Sequence, residues 1–135
     1  MARKKILIVD DEPDIILMVS NRLKAKGYDV VSALDGQAGL ELAKSAKPDL
    51  IILDLMLPKM DGYKVCSFIK KDSRYSKIPI IMFSAKAQQD DIKIGQDAGA
   101  DAYIVKPFDA PILLGKIAEL LGGEPAGTEN TGVQE

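Results

Sequence analysis

The sequence contains no histidine. That removes Ser-His-Asp and Cys-His catalysis and any imidazole metal site. It has a single cysteine, Cys66, so neither an internal disulfide nor a thiolate zinc cage can form. Its apolar runs are only a few residues long, far short of the roughly 18 needed to span a bilayer. The basic start, Met1 to Lys5, leads into Ile6–Val9, too short for the core of a signal peptide. Charge of one sign is missing too: 18 basic residues against 20 acidic give a net charge of -2, which supplies no bulk attraction to nucleic acid or to an anionic membrane. These absences point to a reduced, cytoplasmic protein with no membrane insertion and no direct nucleic-acid contact. Carboxylate, hydroxyl, lysine and oxygen-ligated metal chemistry remain.

What is present is ordinary in amount and regular in order. At 135 residues, 47% hydrophobic and 28% charged, the chain is long enough for one domain with its own core. Short β-branched runs recur at Ile6–Val9, Tyr28–Val31, Leu50–Leu53, Ile78–Phe83 and Ala102–Val105. Several are nearly continuous, as strands buried on both faces are. Between them lie helical patterns, marked by Ile16, Val19 and Leu23; by Ala38, Leu42 and Ala46; by Val65, Phe68 and Ile69; more weakly by Ile92 and Ile94; and by Leu113, Ile117, Leu120 and Leu121. Pro13 suits a first helical turn, and Asp35 and Asp109 suit N-caps. Gly27, Gly99 and Gly122 suit helix ends. Strand and helix alternating five times imply an α/β domain with a doubly wound parallel sheet. The remainder, 122–135, has one valine and no other large apolar residue and reads as a disordered tail.

In open α/β sheets ligands bind beyond the carboxyl ends of the strands. The first run ends in Asp10-Asp11, the third in Asp54, the fourth in Ser84-Ala85 and the fifth in Lys106-Pro107. Each has a plain structural explanation when taken alone: a turn, a strand end, a satisfied loop hydroxyl, a surface charge. Cys66 reads as a buried apolar filler, and Tyr103 as core or edge packing. Together the strand ends carry complementary chemistry. Crowded aspartates suit a hard divalent cation such as Mg²⁺, and a carboxylate beside a metal and a lysine is a nucleophile toward phosphorus.

These residues resemble the receiver domain of two-component response regulators over about Lys5 to Leu121. The resemblance is carried by ILIVDDEPD, LIILDLMLPKMDGYKVC, IPIIMFSAKA and GADAYIVKPF. It implies a receiver domain over 1–121 with a flavodoxin-like fold, strand order 2-1-3-4-5 and five helices. It implies Asp54 as phosphoacceptor, and Asp10 and Asp11 with Asp54 and the Met56 backbone carbonyl as the Mg²⁺ (or Mn²⁺) site. Ser84 and Lys106 would bind the phosphoryl group, Tyr103 would follow Ser84 as the aromatic switch, and Pro107 would be the cis proline. Lys86 and Met56 match positions that tune hydrolysis. Ser84 replaces the commoner threonine and keeps the hydroxyl.

The implied donor is a sensor histidine kinase or phosphotransfer protein. The implied output is contact with a downstream protein through the fourth helix, fifth strand and fifth helix. On this reading the domain catalyses its own phosphorylation and dephosphorylation rather than acting as an enzyme on a separate substrate. The short polar end favours a stand-alone receiver, with a fragment of a longer regulator as the alternative. A haloacid-dehalogenase-type phosphatase would need an acid where Met56 stands. A flavodoxin-like cofactor binder would need a phosphate-binding loop where Asp10-Asp11-Glu12-Pro13-Asp14 stands.

Overall fold

The computed structural model describes residues 3–85, 89–107 and 109–122. Five strands and five helices alternate along them: β1 (Lys5–Val9), α1 (Pro13–Ala25), β2 (Asp29–Ala33), α2 (Gly36–Ser45), β3 (Leu50–Asp54), α3 (Gly62–Lys71), β4 (Ile80–Ser84), α4 (Gln89–Asp97), β5 (Ala102–Val105) and α5 (Ala110–Leu120). The strands form one sheet in the order β2-β1-β3-β4-β5, every pair parallel. The order reverses between β1 and β3, which places a crevice at their carboxyl ends.

The nearly continuous apolar runs are explained by burial on both faces. Ile6, Ile8, Leu50, Ile52, Ile81, Phe83 and Ile104 face α1 and α5, where Val19, Leu23, Leu113 and Ile117 close the core. Leu7, Val9, Ile51, Leu53, Ile80 and Met82 face the other way, onto Ala43 of α2 and Val65, Cys66 and Ile69 of α3. Cys66 is fully buried, as its reading as a filler required.

The punctuation lies where the sequence suggested. Pro13 opens α1, and the side chains of Asp35 and Asp109 accept from Ala38 and Ile112 N–H. Gly27, Gly99 and Gly122 all have positive φ. The strand bounds move slightly: β2 runs Asp29–Ala33 and β4 runs Ile80–Ser84. Two helical markers need correction. Phe68 is 49% exposed and Ile94 48%; the inward stripe of α3 is Val65, Cys66 and Ile69. On α2 the fully buried residues are Gly36, Gly39 and Ala43; the markers Ala38 and Leu42 are half-buried and pack against the same core, and Ala46 is half-buried. Glycine lines that face because the helix lies tight on the sheet: a Cβ on Gly39 would stand 2.8 Å from the Val9 side chain.

Of the expected tail 122–135, only Gly122 falls within the described residues, and Lys86 falls outside them. No described helix is long and apolar enough to cross a membrane.

Candidate phosphoryl and metal site

β1 ends at Val9, and the chain turns at once. Asp10 N–H still donates to Ala33 O of β2 at 3.1 Å, so the residue stays tied to the sheet. Its carboxylate is fully buried. Oδ1 accepts from Glu12 N–H at 2.9 Å, an aspartate turn that aims the chain into α1. Oδ2 is left for a cation. The turn expected of Asp10 is thus present on one oxygen, and the other oxygen pairs with Lys106.

Asp54 is the last residue of β3 and is 4% exposed. Its Oδ1 accepts from Met56 N–H at 3.2 Å. β5 pairs with β4 so that Ser84 stands opposite Val105. Lys106 N–H then donates to Ser84 O at 2.8 Å, which brings the lysine beside the fully buried Ser84. The Lys106–Pro107 peptide bond is cis, as expected. The Lys106 ammonium lies 2.9 Å from Asp10 Oδ2, 3.2 Å from Asp54 Oδ2 and 3.3 Å from Glu12 Oε1. It also stands 5.2 Å from the centre of the Phe83 ring, a cation–π contact.

The electrostatics of this cluster are lopsided. Burial raises the Asp54 pKa above the ordinary 3.8; the Met56 N–H opposes this, the neighbouring Asp10 charge adds to it, and Lys106 pulls it back. Burial alone would lower Lys106, but its hydrogen bond to Asp10 and the charges of Asp54 and Asp10 outweigh that, and its pKa is raised. Among the described residues one ammonium serves several carboxylates, and it stays charged.

Asp10, Asp11 and Glu12 each bring a carboxylate oxygen within 4.8 Å of the others, with Asp10 buried and the other two exposed. This is an all-oxygen, anionic donor set with water access, which fits a hard divalent cation that keeps part of its hydration. The sequence reading overlooked Glu12 and Phe83. A glutamate next to an acidic pair and an aromatic one residue before Ser84 were the available signals, but only the lysine's reach shows their use.

Tyr103 is partly buried on the opposite sheet face from Ile104, among the neighbours of α3 and α4. Its ring lies against Gly95 of α4, where a Cβ would stand 3.2 Å from Cδ2. Ala85 is exposed beyond Ser84. Of the expected site residues, Asp10, Asp54, Ser84 and Lys106 meet at one edge of the sheet, Asp11 and Met56 flank them, and Tyr103 lies behind, two residues up β5.

The comparisons agree with this fold. The response regulator receiver domain family model matches residues 6–118. The transcriptional regulator RpaA of Synechocystis sp. is 48% identical over 117 residues, covering 87% of this chain and 48% of that protein. PhoP of Bacillus subtilis, an alkaline phosphatase synthesis transcriptional regulatory protein, is 48% identical over 107 residues, covering 78% of this chain and 43% of its own length. The chain thus spans about half the length of the curated relatives it matches. Among solved structures, a response regulator described from Chloroflexus aurantiacus superposes with a TM-score of 0.86 at 30% identity, covering 90% of this chain and 99% of that one. The Vibrio cholerae chemotaxis protein CheY4 gives 0.83 at 34% identity, covering 88% and 99%.

Proposed function

The chain belongs to the response regulator receiver domain family, and from that premise we propose that it signals by accepting a phosphoryl group on Asp54. One observation carries this reading: a buried carboxylate, a buried hydroxyl residue and a lysine, contributed by β3, β4 and the segment after β5, converge beside an acidic cluster.

On this reading the donor is a phosphohistidine on a sensor histidine kinase or phosphotransfer protein, the source that membership of the receiver family implies. An Asp54 carboxylate oxygen attacks phosphorus. The P–N bond breaks, its electron pair and a proton end on the imidazole, and an acyl phosphate forms. Asp10, Asp11, the Asp54 carboxylate and the Met56 carbonyl are the residues that would hold Mg²⁺ (or Mn²⁺). When bound, such an ion neutralises phosphoryl oxygens as charge develops. Lys106, now shared among Asp10, Asp54 and Glu12, moves to a phosphoryl oxygen, and the Ser84 hydroxyl donates to another.

Their displacement opens room for Tyr103. The Tyr103 ring already touches α4 through Gly95, so its movement alters the surface of α4, β5 and α5 that meets a downstream protein. Water attack on phosphorus later breaks the acyl–phosphate bond and returns the Asp54 carboxylate and inorganic phosphate. The domain thus catalyses its own phosphorylation and dephosphorylation rather than converting a separate substrate. Its setting is the cytoplasm, and its output is protein contact rather than direct nucleic-acid binding by this domain.

The test is intact mass after incubation with acetyl phosphate, with and without Mg²⁺, on wild type and Asp54→Asn. A single Mg²⁺-dependent adduct, absent from the variant, is expected. An adduct that persists in Asp54→Asn refutes the assignment of the acceptor.

A further inference from the structure

The loop from Leu55 to Asp61 follows the acceptor directly, and its shape is fixed from outside the acidic cluster. Pro58 O accepts from Met60 N–H at 2.7 Å, closing a three-residue turn around Lys59, whose φ is +68°. A turn of this kind with a non-glycine centre is strained and persists only when its surroundings hold it. The holder is the first turn of α2. Gly36 N–H, one of the amide groups an α-helix leaves without an internal partner, donates to the same Pro58 O at 3.2 Å. Lys59 Nζ reaches across to Asp35 Oδ2 at 3.7 Å.

The approach is close enough to require glycine. A Cβ on Gly36 would lie 1.8 Å from Met60 O, 2.7 Å from Met60 C and 2.9 Å from Met60 Cβ. Two of those three atoms are backbone, so the loop itself would have to move. At its near end the same loop carries Met56, whose N–H holds Asp54 Oδ1 at 3.2 Å. A contiguous path therefore runs from the α2 N-terminus through the strained turn to the acceptor carboxylate.

We propose that Gly36 is a positioning residue for the cation and phosphoryl site: by letting the Pro58–Met60 turn seat against α2, it fixes the loop that orients Asp54 and carries the Met56 carbonyl. This rests on the reading of Asp54 and Met56 as site residues, and it adds a determinant on a helix that contributes no group to the chemistry. Coupling of this sort is reciprocal. If the seat favours cation binding, cation binding must tighten the seat by the same factor.

The experiment measures free Mn²⁺ by electron paramagnetic resonance during titration of the whole chain, with melting temperature recorded in parallel. Gly36→Ala should weaken Mn²⁺ binding about tenfold, the usual scale for losing an outer support of a metal site. Ile117→Ala, a core truncation on the α5 side of the sheet, should lower the melting temperature yet leave affinity within about twofold. Because Gly36→Ala risks not folding, amide hydrogen exchange of the wild type supplies a second arm. Saturating Mg²⁺ should slow exchange at Gly36 about tenfold and leave Ala46, at the far end of α2, within about twofold.

Wild-type affinity in a folded Gly36→Ala, or a Gly36 amide indifferent to Mg²⁺, overturns the proposal. An Ile117→Ala that loses affinity in step with its melting temperature also overturns it, because the effect would then be global. A wild type that binds no Mn²⁺ has a different signature: it overturns the metal reading and takes this proposal with it.

Discussion

Lys106 Nζ and Asp10 Oδ2, 96 positions apart in the chain, meet at 2.9 Å. The same ammonium reaches Asp54 Oδ2 at 3.2 Å, so among the described residues a single lysine is the counter-charge for two buried carboxylates. Removing it strands both. Breaking a buried ion network costs about 3 kcal/mol, and Lys106→Ala is expected to lose stability on that scale in metal-free buffer. Mg²⁺ should restore part of the loss, because a cation among the same carboxylates takes over the neutralisation. Thermal melts with EDTA and with Mg²⁺ check this. A Mg²⁺-induced rise in melting temperature no larger in Lys106→Ala than in wild type would show that the cation does not take over the lysine's neutralisation.

Asp54 has the opposite sign. Its pKa is raised, chiefly by burial, with Asp10 adding to the effect. The folded state therefore holds the Asp54 proton more tightly than the unfolded chain does, and the ionised carboxylate costs stability at neutral pH. In metal-free buffer Asp54→Asn should melt a few degrees above wild type at pH 7. That advantage should fade as pH falls through the raised pKa and vanish below the ordinary value of 3.8, where both states of the wild type carry the proton. Melting curves of the two proteins across acid pH test this. A gap that widens on acidification contradicts it.

Two glycines should respond to alanine in opposite directions. A Cβ on Gly62 would lie 2.2 Å from Asp54 O and 2.8 Å from Leu55 Cα, backbone atoms that cannot yield. Gly62→Ala is expected to cost about 3 kcal/mol. Gly115, within α5, has nothing within 4 Å of an added Cβ. Gly115→Ala should gain about 0.5–1 kcal/mol from helix propensity and a less flexible unfolded chain. Urea denaturation of both variants measures the pair.

Cys66 should be chemically silent in the folded protein. Burial pushes its thiol up to about 11, and its Sγ contacts Ala98 O at 3.5 Å, so little thiolate exists and access is closed. Labelling with a disulfide reagent should proceed only as fast as the α3–α4 region opens, and should accelerate in denaturant. Rapid stoichiometric labelling of the native protein contradicts this placement.

The order of strands and helices was legible in the sequence because it rests on local signals. β-branched runs, helical spacing, aspartate caps and glycine stops each act within a few residues. The strand-end residues were legible for the same reason: a strand that stops at Asp54 or Ser84 puts that residue at the crevice wherever its neighbours fall. Local spacing could not say which side of a short helix faces inward. Phe68 and Ile94 match the helical period as well as the buried residues do, and only the sheet beneath α3 and α4 leaves them outside.

The sequence by itself determined the alternating α/β pattern, the double burial of the strands and the set of carboxylate, hydroxyl and lysine groups at the strand ends. Tertiary structure decided how those groups share charge. It gave one oxygen of Asp10 to a turn and the other to Lys106, brought Glu12 and Phe83 to the same lysine, and seated the Pro58–Met60 turn on Gly36. Those contacts join segments far apart in the chain. Their geometry is set by parallel strand register and by how closely a helix approaches a loop, and no local pattern of residues encodes either.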